Sequence, residues 1–454
     1  MKHRSFSSVQ LIPVSFLAAI IMGAFLLMLP LSSSDGVWTS FVDALFTSAT
    51  SICVTGLTVL DTGNHWSLFG QIVIVLLIQI GGLGIIAVIS VVMIVAQKRF
   101  TLGERIMLKD SLNLDSTSGV VRFLIRIIKT TLMIEAAGAV LYSFKFVPRY
   151  GFVRGLWISL FNSVSAFCNA GMDIMGENSL EAYRESAFVL GVTMMLIVLG
   201  GGGFVVWFDV AEKVKAGIKK HFSLRQIISR LSEHTKLALC MTLFLILFGA
   251  GEVFIAEFDN PDTIGNLGTG AKVLNSLFQS VTYRTAGFSS FSQTGLTDIS
   301  CFFAYIIMFI GGSPIGTAGG VKTTTFYLAV KNITSYIHGE DNARVFNKSV
   351  SAEQMRKATV IVSVSMVTVV SLTLLLVMTN HISAKDGLFE IVSASATVGL
   401  TRDVTGGLNT AGKLIVTLAM YLGRIAPISM AIFLAGIHHK KNMIRNPEGH
   451  YFIG

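Results

Sequence analysis

The sequence predicts an all-helical (all-α) integral membrane protein of four similar units. Each unit is a helix, a short re-entrant helix and a second helix, and the four surround one central axis with eight transmembrane spans. Three observations predict this. Of the 454 residues, 52% are hydrophobic and 13% charged, and the mean hydropathy is +0.69; a soluble chain carries about 25% charged residues. Long apolar runs alternate with runs of about a dozen residues, too short to cross a bilayer. Each short run ends in a like-placed glycine: Ser51-Ile52-Cys53-Val54-Thr55-Gly56-Leu57, Ala166-Phe167-Cys168-Asn169-Ala170-Gly171-Met172, Tyr283-Arg284-Thr285-Ala286-Gly287-Phe288 and Ser395-Ala396-Thr397-Val398-Gly399-Leu400, at intervals of 115, 116 and 112 residues.

The first unit, 1–100, has an outward span at 11–31, a re-entrant segment at 41–52, Gly56 and a return span at 68–97. The run 11–31 just spans a bilayer at ~1.5 Å per residue. No small-residue cleavage site follows it, so it reads as a first helix rather than a signal peptide. The second unit, 101–217, repeats the pattern at 123–146, 156–167, Gly171 and 187–211. The third, 218–340, does so at 237–257, 271–283, Gly287 and 302–330, with an interrupted return helix. The fourth, 341–454, has 358–378, 387–396, Gly399 and 414–437, then a cytoplasmic tail. A phenylalanine lies ten residues before the glycine (Phe46, Phe161, Phe389) or nine (Phe278), and each return span has a glycine step at Gly81, Gly200, Gly311 or Gly423. One such step indicates helix packing; four in register indicate a common architecture.

The net charge of +9 follows from membrane topology rather than from binding nucleic acid. Loops on one side of the spans hold 25 of the 35 Lys and Arg, including Lys98, Arg105, Lys219, Lys220, Lys331 and Arg356; the other side holds nine, and Arg424 lies within an apolar run. The positive-inside rule puts both termini in the cytoplasm and the glycine loops outside. Cys53, Cys168, Cys240 and Cys301 have the spacing of neither a zinc site nor a disulfide framework. Cys53 and Cys168, each three before a glycine, read as small residues packed behind the loops.

Backbone that is not helical at membrane depth must be buried in protein or line a water-filled cavity, so the glycine loops should line a pore. A dehydrated cation needs several oxygen ligands, and backbone carbonyls hold it without the trapping strength of carboxylates. Aiming successive carbonyls at one axis requires conformations closed to most residues but open to glycine. The expected carbonyl donors are Val54 and Thr55, Asn169 and Ala170, Thr285 and Ala286, and Thr397 and Val398, beside Gly56, Gly171, Gly287 and Gly399.

These repeats, with Cys53-Val54-Thr55-Gly56-Leu57-Thr58-Val59, Phe278-Gln279-Ser280-Val281-Thr282 and Ala396-Thr397-Val398-Gly399-Leu400-Thr401, resemble the Trk/Ktr/HKT superfamily of cation translocators. Within it the chain is similar to the membrane subunit of the bacterial Ktr potassium-uptake system (KtrB). The similarity runs through nearly the whole chain, including the tail Arg445-Asn446-Pro447-Glu448-Gly449; the extra N-terminal pair of spans expected of a Trk-type subunit is not found. The resemblance implies a homodimer with one pore per subunit in the bacterial cytoplasmic membrane, surrounded by lipid. It also implies a cytosolic ring of nucleotide-binding regulatory subunits (KtrA-like, with RCK domains), potassium as the transported ion and no bound cofactor. It leaves sodium dependence open. In the superfamily a serine at the first filter position accompanies sodium preference, so Gly56 favours potassium; a sodium-selective or non-selective translocator is the alternative. Tyr283 stands where relatives often have Pro, and Arg402 puts a cation near the mouth.

The stretch Gly311-Gly312-Ser313-Pro314-Ile315-Gly316-Thr317-Ala318-Gly319-Gly320-Val321-Lys322 is too rich in breakers for a plain helix. It is unlike a phosphate-binding loop, since Val321 separates Gly320 from Lys322 and no strand precedes it. It reads as a flexible segment in the pore below the glycines, with a packing kink as the alternative; the resemblance implies an intramembrane gating loop here. Arg424 at membrane depth costs roughly 2.5–3.5 kcal/mol. It would repel cations, anchor the loop through its carbonyls, or join an ion pair. The cytoplasmic segments 100–120, 218–233 and 335–353, with the tail, are the surfaces large enough to meet a regulator. An intramembrane enzyme, the rival from another class, finds no His/Glu zinc motif and no Gly-x-Ser-x-Gly elbow.

Overall fold

A computed structural model describes residues 8–84, 119–176, 178–340, 343–346 and 348–425. The expected return spans beyond residues 84 and 425, most of segment 100–120 and the C-terminal tail lie outside the described residues. The first region contains α1 (Ser8–Met28), α2 (Phe41–Cys53) and α3 (Leu68–Leu83). The second contains α4 (Val120–Tyr150), α5 (Phe152–Cys168), α6 (Ala187–Gly201) and α7 (Phe204–Lys220). Then come α8 (Leu224–Ser229), α9 (Glu233–Ala256), α10 (Thr269–Thr282), α11 (Asp298–Phe309) and α12 (Thr323–Ile337). A two-stranded hairpin, β1 (Arg344–Val345) with β2 (Lys348–Ser349), leads to α13 (Ala352–Asn380), α14 (Ala384–Ala396) and α15 (Thr410–Ile425). Among the described residues the architecture is all-helical apart from that hairpin.

Polar caps start the helices. Ser67, Ser186, Ser232, Thr297, Ser351 and Ser383 each accept a first-turn backbone N–H, which satisfies a donor the helix leaves open. Such caps extend α9, α13 and α14 a few residues beyond their apolar runs. By length and composition, α9 and α13 can each cross a membrane, whereas α6 and α7 qualify only as a pair bent by 99°. The expected continuous return span 187–211 is therefore corrected to two helices. The chain turns at Gly203 (φ +87), where a Cβ would lie 2.6 Å from the Pro314 carbonyl, and Phe204 N–H donates to the Ile315 carbonyl at 2.8 Å. The 310–322 loop packs against this turn. Large apolar side chains such as Phe144 (66% exposed), Leu243, Met366 and Leu374 point outward, a surface suited to lipid rather than water.

Helix contacts repeat with the spacing of the glycines. Ser48, Ser163 and Ser280 hydroxyls donate to the carbonyls of Ile20, Glu135 and Ile246 at 2.7, 2.6 and 2.8 Å. Three residues after each of those carbonyls a glycine (Gly23, Gly138, Gly249) faces the same serine, leaving no room for a Cβ. Gly81, Gly200 and Gly423 lie against the carbonyls of Ile52, Phe167 and Ser395, each four residues before its loop glycine; Gly311 instead lies against Gly319. Phe46, Phe161, Phe278 and Phe389 are fully buried.

Candidate functional site

Helices α2, α5 and α14 end at left-handed residues: Val54 (φ 57°), Asn169 (φ 60°) and Thr397 (φ 55°). The third loop differs locally. Helix α10 ends at Thr282, Tyr283 is still right-handed, and the left-handed residue is Thr285 (φ 66°). In every case the left-handed residue precedes the loop glycine by two, and Gly56, Gly171, Gly287 and Gly399 have φ of 105°, 65°, 85° and 92°. The N–H groups of the intervening residues turn back to their own helices: Thr55 to Thr50 O at 2.9 Å, Ala170 to Ser165 O at 2.8 Å, Ala286 to Thr282 O at 3.0 Å and Val398 to Ser393 O at 2.7 Å. Gly56 N–H donates to Thr50 Oγ1 at 2.9 Å and Gly399 N–H to Ser393 Oγ at 3.1 Å. Among the described residues no backbone N–H donates to the carbonyls of Thr55, Ala170, Ala286 or Val398.

Those carbonyls close a ring. A Cβ on Gly56 would lie 2.6 Å from Ala170 O, on Gly171 2.5 Å from Ala286 O, and on Gly287 2.8 Å from Val398 O; on Gly399 it would overlap Thr55 O. The space beside each glycine is thus filled by the carbonyl before the next glycine, one to two to three to four and back to one. This order brings together the four glycines and the carbonyls of Thr55, Ala170, Ala286 and Val398, with Val54, Asn169, Thr285 and Thr397 one residue further back.

On one side the four glycines floor a cavity of about 270 Å³, whose wall includes Asp61, Asp173, Glu181 and Asp403. Arg402 does not line it. Its guanidinium turns outward to Asp386 Oδ1 at 2.8 Å and to the Gln293 and Thr294 carbonyls at 2.6 and 3.1 Å. Its neighbour Asp403 reaches the cavity instead, so the cavity wall is acidic. Burial pushes the Asp173 carboxyl up to about 6, against hydrogen bonds from Met175 N–H and the Ser179 hydroxyl that lower it. Asp173 is therefore neutral below about pH 6 and charged above it. Removing a negative charge weakens attraction of cations to the cavity. Transport at low cation concentration should fall as external pH drops from 7.5 to 5, and Asp173→Asn should flatten that part of the profile.

On the other side the 310–322 loop sits against the second and fourth glycine loops. Its ends pair: Gly311 N–H donates to Val321 O at 2.8 Å, and Ile310 bridges Val321. Its middle docks on the second return helix, with Ser313 and Thr317 N–H donating to Gly201 O and Gly200 O at 2.9 and 3.2 Å. Pro314 and Gly316 face Gly203 and Gly200 in the same contact. Gly319 abuts the Thr397 side chain, and Gly320 abuts Ala396. Lys322 Nζ donates to Ala318 O at 2.5 Å. Arg424 donates to Thr317 O at 2.5 Å and Gly81 O at 2.6 Å. Among the described residues it has no carboxylate partner, so its charge is met by carbonyls of the loop and of α3.

The sequence matches a family model described as TrkH, cation transport protein, over residues 4–445. The chain belongs to this cation transport family. It is 37% identical to the Ktr system potassium uptake protein B of Bacillus subtilis over 455 residues, covering 100% of this chain and 98% of the relative. It is 35% identical to the potassium/sodium uptake protein NtpJ of Enterococcus hirae, covering 95% and 94%. In fold it is similar to the crystal structure of the potassium transporter TrkH from Vibrio parahaemolyticus, with TM-score 0.74, 16% identity and coverage of 95% and 86%. These comparisons make the chain a Trk/Ktr-type membrane transporter, not an enzyme.

Within this family member, several positioning residues escaped the sequence reading. Thr50 and Ser393 fix loop glycines, as above. Glu390, fully buried on α14, accepts hydroxyl hydrogen bonds from Thr401 at 2.8 Å and from Thr405. It thereby ties the segment 401–405 that carries Asp403. A signal was present: a polar residue follows each repeat phenylalanine (Thr47, Asn162, Gln279, Glu390), and all four are buried.

Proposed function

We propose that the chain is the potassium-translocating membrane subunit of a Ktr-type uptake system, passing ions through a filter formed by the four glycine loops. The closed ring of carbonyls in the order Thr55, Ala170, Ala286, Val398 carries this reading, because it offers oxygens without competing N–H donors on one axis. The name of the Bacillus relative supports potassium as the ion. The 310–322 loop, held by Arg424 and Lys322, acts as the intramembrane gate. The units are 1–100, 101–217, 218–340 and 341–454, and together they supply eight spans. The subunit forms a homodimer in the bacterial cytoplasmic membrane, on a cytosolic regulatory ring of nucleotide-binding subunits. The name of the Enterococcus relative favours, as a second reading, a subunit that also carries sodium.

The deciding experiment is ion flux through purified protein in liposomes, with reversal potentials in mixed potassium and sodium, with and without the regulatory subunits. A reversal potential that follows the potassium gradient supports the first reading; one that follows both ions equally supports the second. Topology is tested separately. Single cysteines replacing Lys219 or Gly339, in a background lacking the native cysteines, should react with an impermeant reagent only from the cytoplasm, and one replacing Asp61 only from outside. Labelling of the Lys219 site from outside overturns the eight-span arrangement.

A further inference from the structure

Every polar atom of Thr317 is engaged with another element. Its N–H donates to Gly200 O at 3.2 Å and its carbonyl accepts from Arg424 at 2.5 Å. Its hydroxyl lies 3.1 Å from both Phe167 O and Asn169 Oδ1. Phe167 is in the last turn of α5, and Asn169 is the left-handed residue at the base of the second glycine loop. The hydroxyl has one proton to donate and shares it between these two acceptors. The equivalent residues of the other loops receive no such bond: Thr285 Oγ1 and Thr397 Oγ1 are buried without a partner, and Val54 has no polar side-chain atom. One loop of the four is tied to the 310–322 loop through a side-chain hydroxyl.

We propose that Thr317 is a positioning residue for ion discrimination: its hydroxyl holds the base of the second glycine loop, so selectivity at the ring depends on whether the 310–322 loop is seated. This rests on the ring being the filter and the loop the gate. A carbonyl ring discriminates ions by the number and placement of its oxygens. With the loop seated, the second filter segment is fixed from both sides, by the Asn169 and Ala170 N–H bonds into α5 and by Thr317 beneath. When the loop withdraws, the Asn169 side chain loses this bond; its Nδ2 is buried with no partner to replace it. The second loop then loses a side-chain hydrogen bond, whereas the fourth loses only the packing of Gly319 and Gly320 against Thr397 and Ala396. Coupling of this kind is reciprocal, so an ion that orders the second loop also favours the seated gate.

The test uses full-length protein in liposomes without regulatory subunits, comparing parent, Thr317→Val, Thr317→Ser, Asn169→Ala and Gly56→Ser. Thr317→Val removes the hydroxyl and keeps the branched shape. It should lower the potassium-to-sodium permeability ratio about threefold or more, the scale of one modest hydrogen bond, and raise total flux. Thr317→Ser should restore both. Asn169→Ala removes the same bond from the other side and should lower the ratio; combined with Thr317→Val it should add little. If Thr317→Val raises flux and leaves the ratio at the parental value, Thr317 is only a tie for the gate and the proposal is overturned. If Thr317→Val changes neither quantity, it is overturned as well. Gly56→Ser separates the two levels: a lowered ratio there with a parental ratio in Thr317→Val overturns the proposal and leaves the filter reading standing. Thr317→Val protein that does not elute like the parent is replaced by Asn169→Ala, judged by the same ratio.

Discussion

Gly399→Ser should abolish most of the discrimination between potassium and sodium. Gly399 has φ +92°, and a Cβ there would overlap Thr55 O, with Gly56 Cα 2.9 Å away. A side chain in such a conformation costs roughly 1–3 kcal/mol of strain, and the overlapping atom is a backbone carbonyl that cannot rotate aside cheaply. Relief requires Thr55 O to leave the ring. If one displaced ligand costs about 1.4 kcal/mol of preference, the ratio falls about tenfold. Gly56→Ser, Gly171→Ser and Gly287→Ser should act in the same direction, since each would press on the next carbonyl in the cycle. The measurement is apparent affinity for each ion in an uptake-deficient strain. Unchanged affinities in all four variants would sink the filter assignment.

Freeing the 310–322 loop should have the second large effect. The loop is held by backbone bonds to Gly200 and Gly201, by the Thr317 hydroxyl on the second glycine loop, and by the cationic donors Arg424 and Lys322 on its carbonyls. Arg424→Ala removes the bonds to Thr317 O and Gly81 O and a positive charge from beneath the ring. Deleting residues 314–318 removes the part docked on Gly200 and Gly203. Each should raise flux without the regulatory subunits on the order of tenfold, if the lost seating contributes about 1.4 kcal/mol. The two changes act on one contact, so together they should add less than the sum. Variants that elute like the parent yet conduct no faster would show that the loop is not the barrier.

The positions of the glycine loops were legible because backbone geometry there admits few residues besides glycine, and the same demand recurs four times. The interruption at 310–322 was legible for the same reason, through its breakers. The bend between α6 and α7 was not. Residues 187–211 read as one apolar run, and what turns the chain is the Phe204 bond to Ile315, more than a hundred residues away. Arg402 misled because its direction is set by Asp386, which lies in the first turn of α14, sixteen residues earlier. Arg424 was recognisable as expensive, but its carbonyl partners on α3 and the loop are long-range contacts that no local pattern encodes. The polar residue after each repeat phenylalanine was readable in the sequence. Its meaning depended on burial, which a re-entrant helix reverses relative to a surface one.

The central claim is that ions bind between the four glycine loops. The most direct measurement is anomalous scattering from crystals of the protein grown with rubidium or thallium in place of potassium. The account predicts a peak on the axis between the carbonyls of Thr55, Ala170, Ala286 and Val398, weakened in Gly399→Ser crystals. Crystals of conducting protein with that position empty and the ion bound elsewhere along the chain would contradict it.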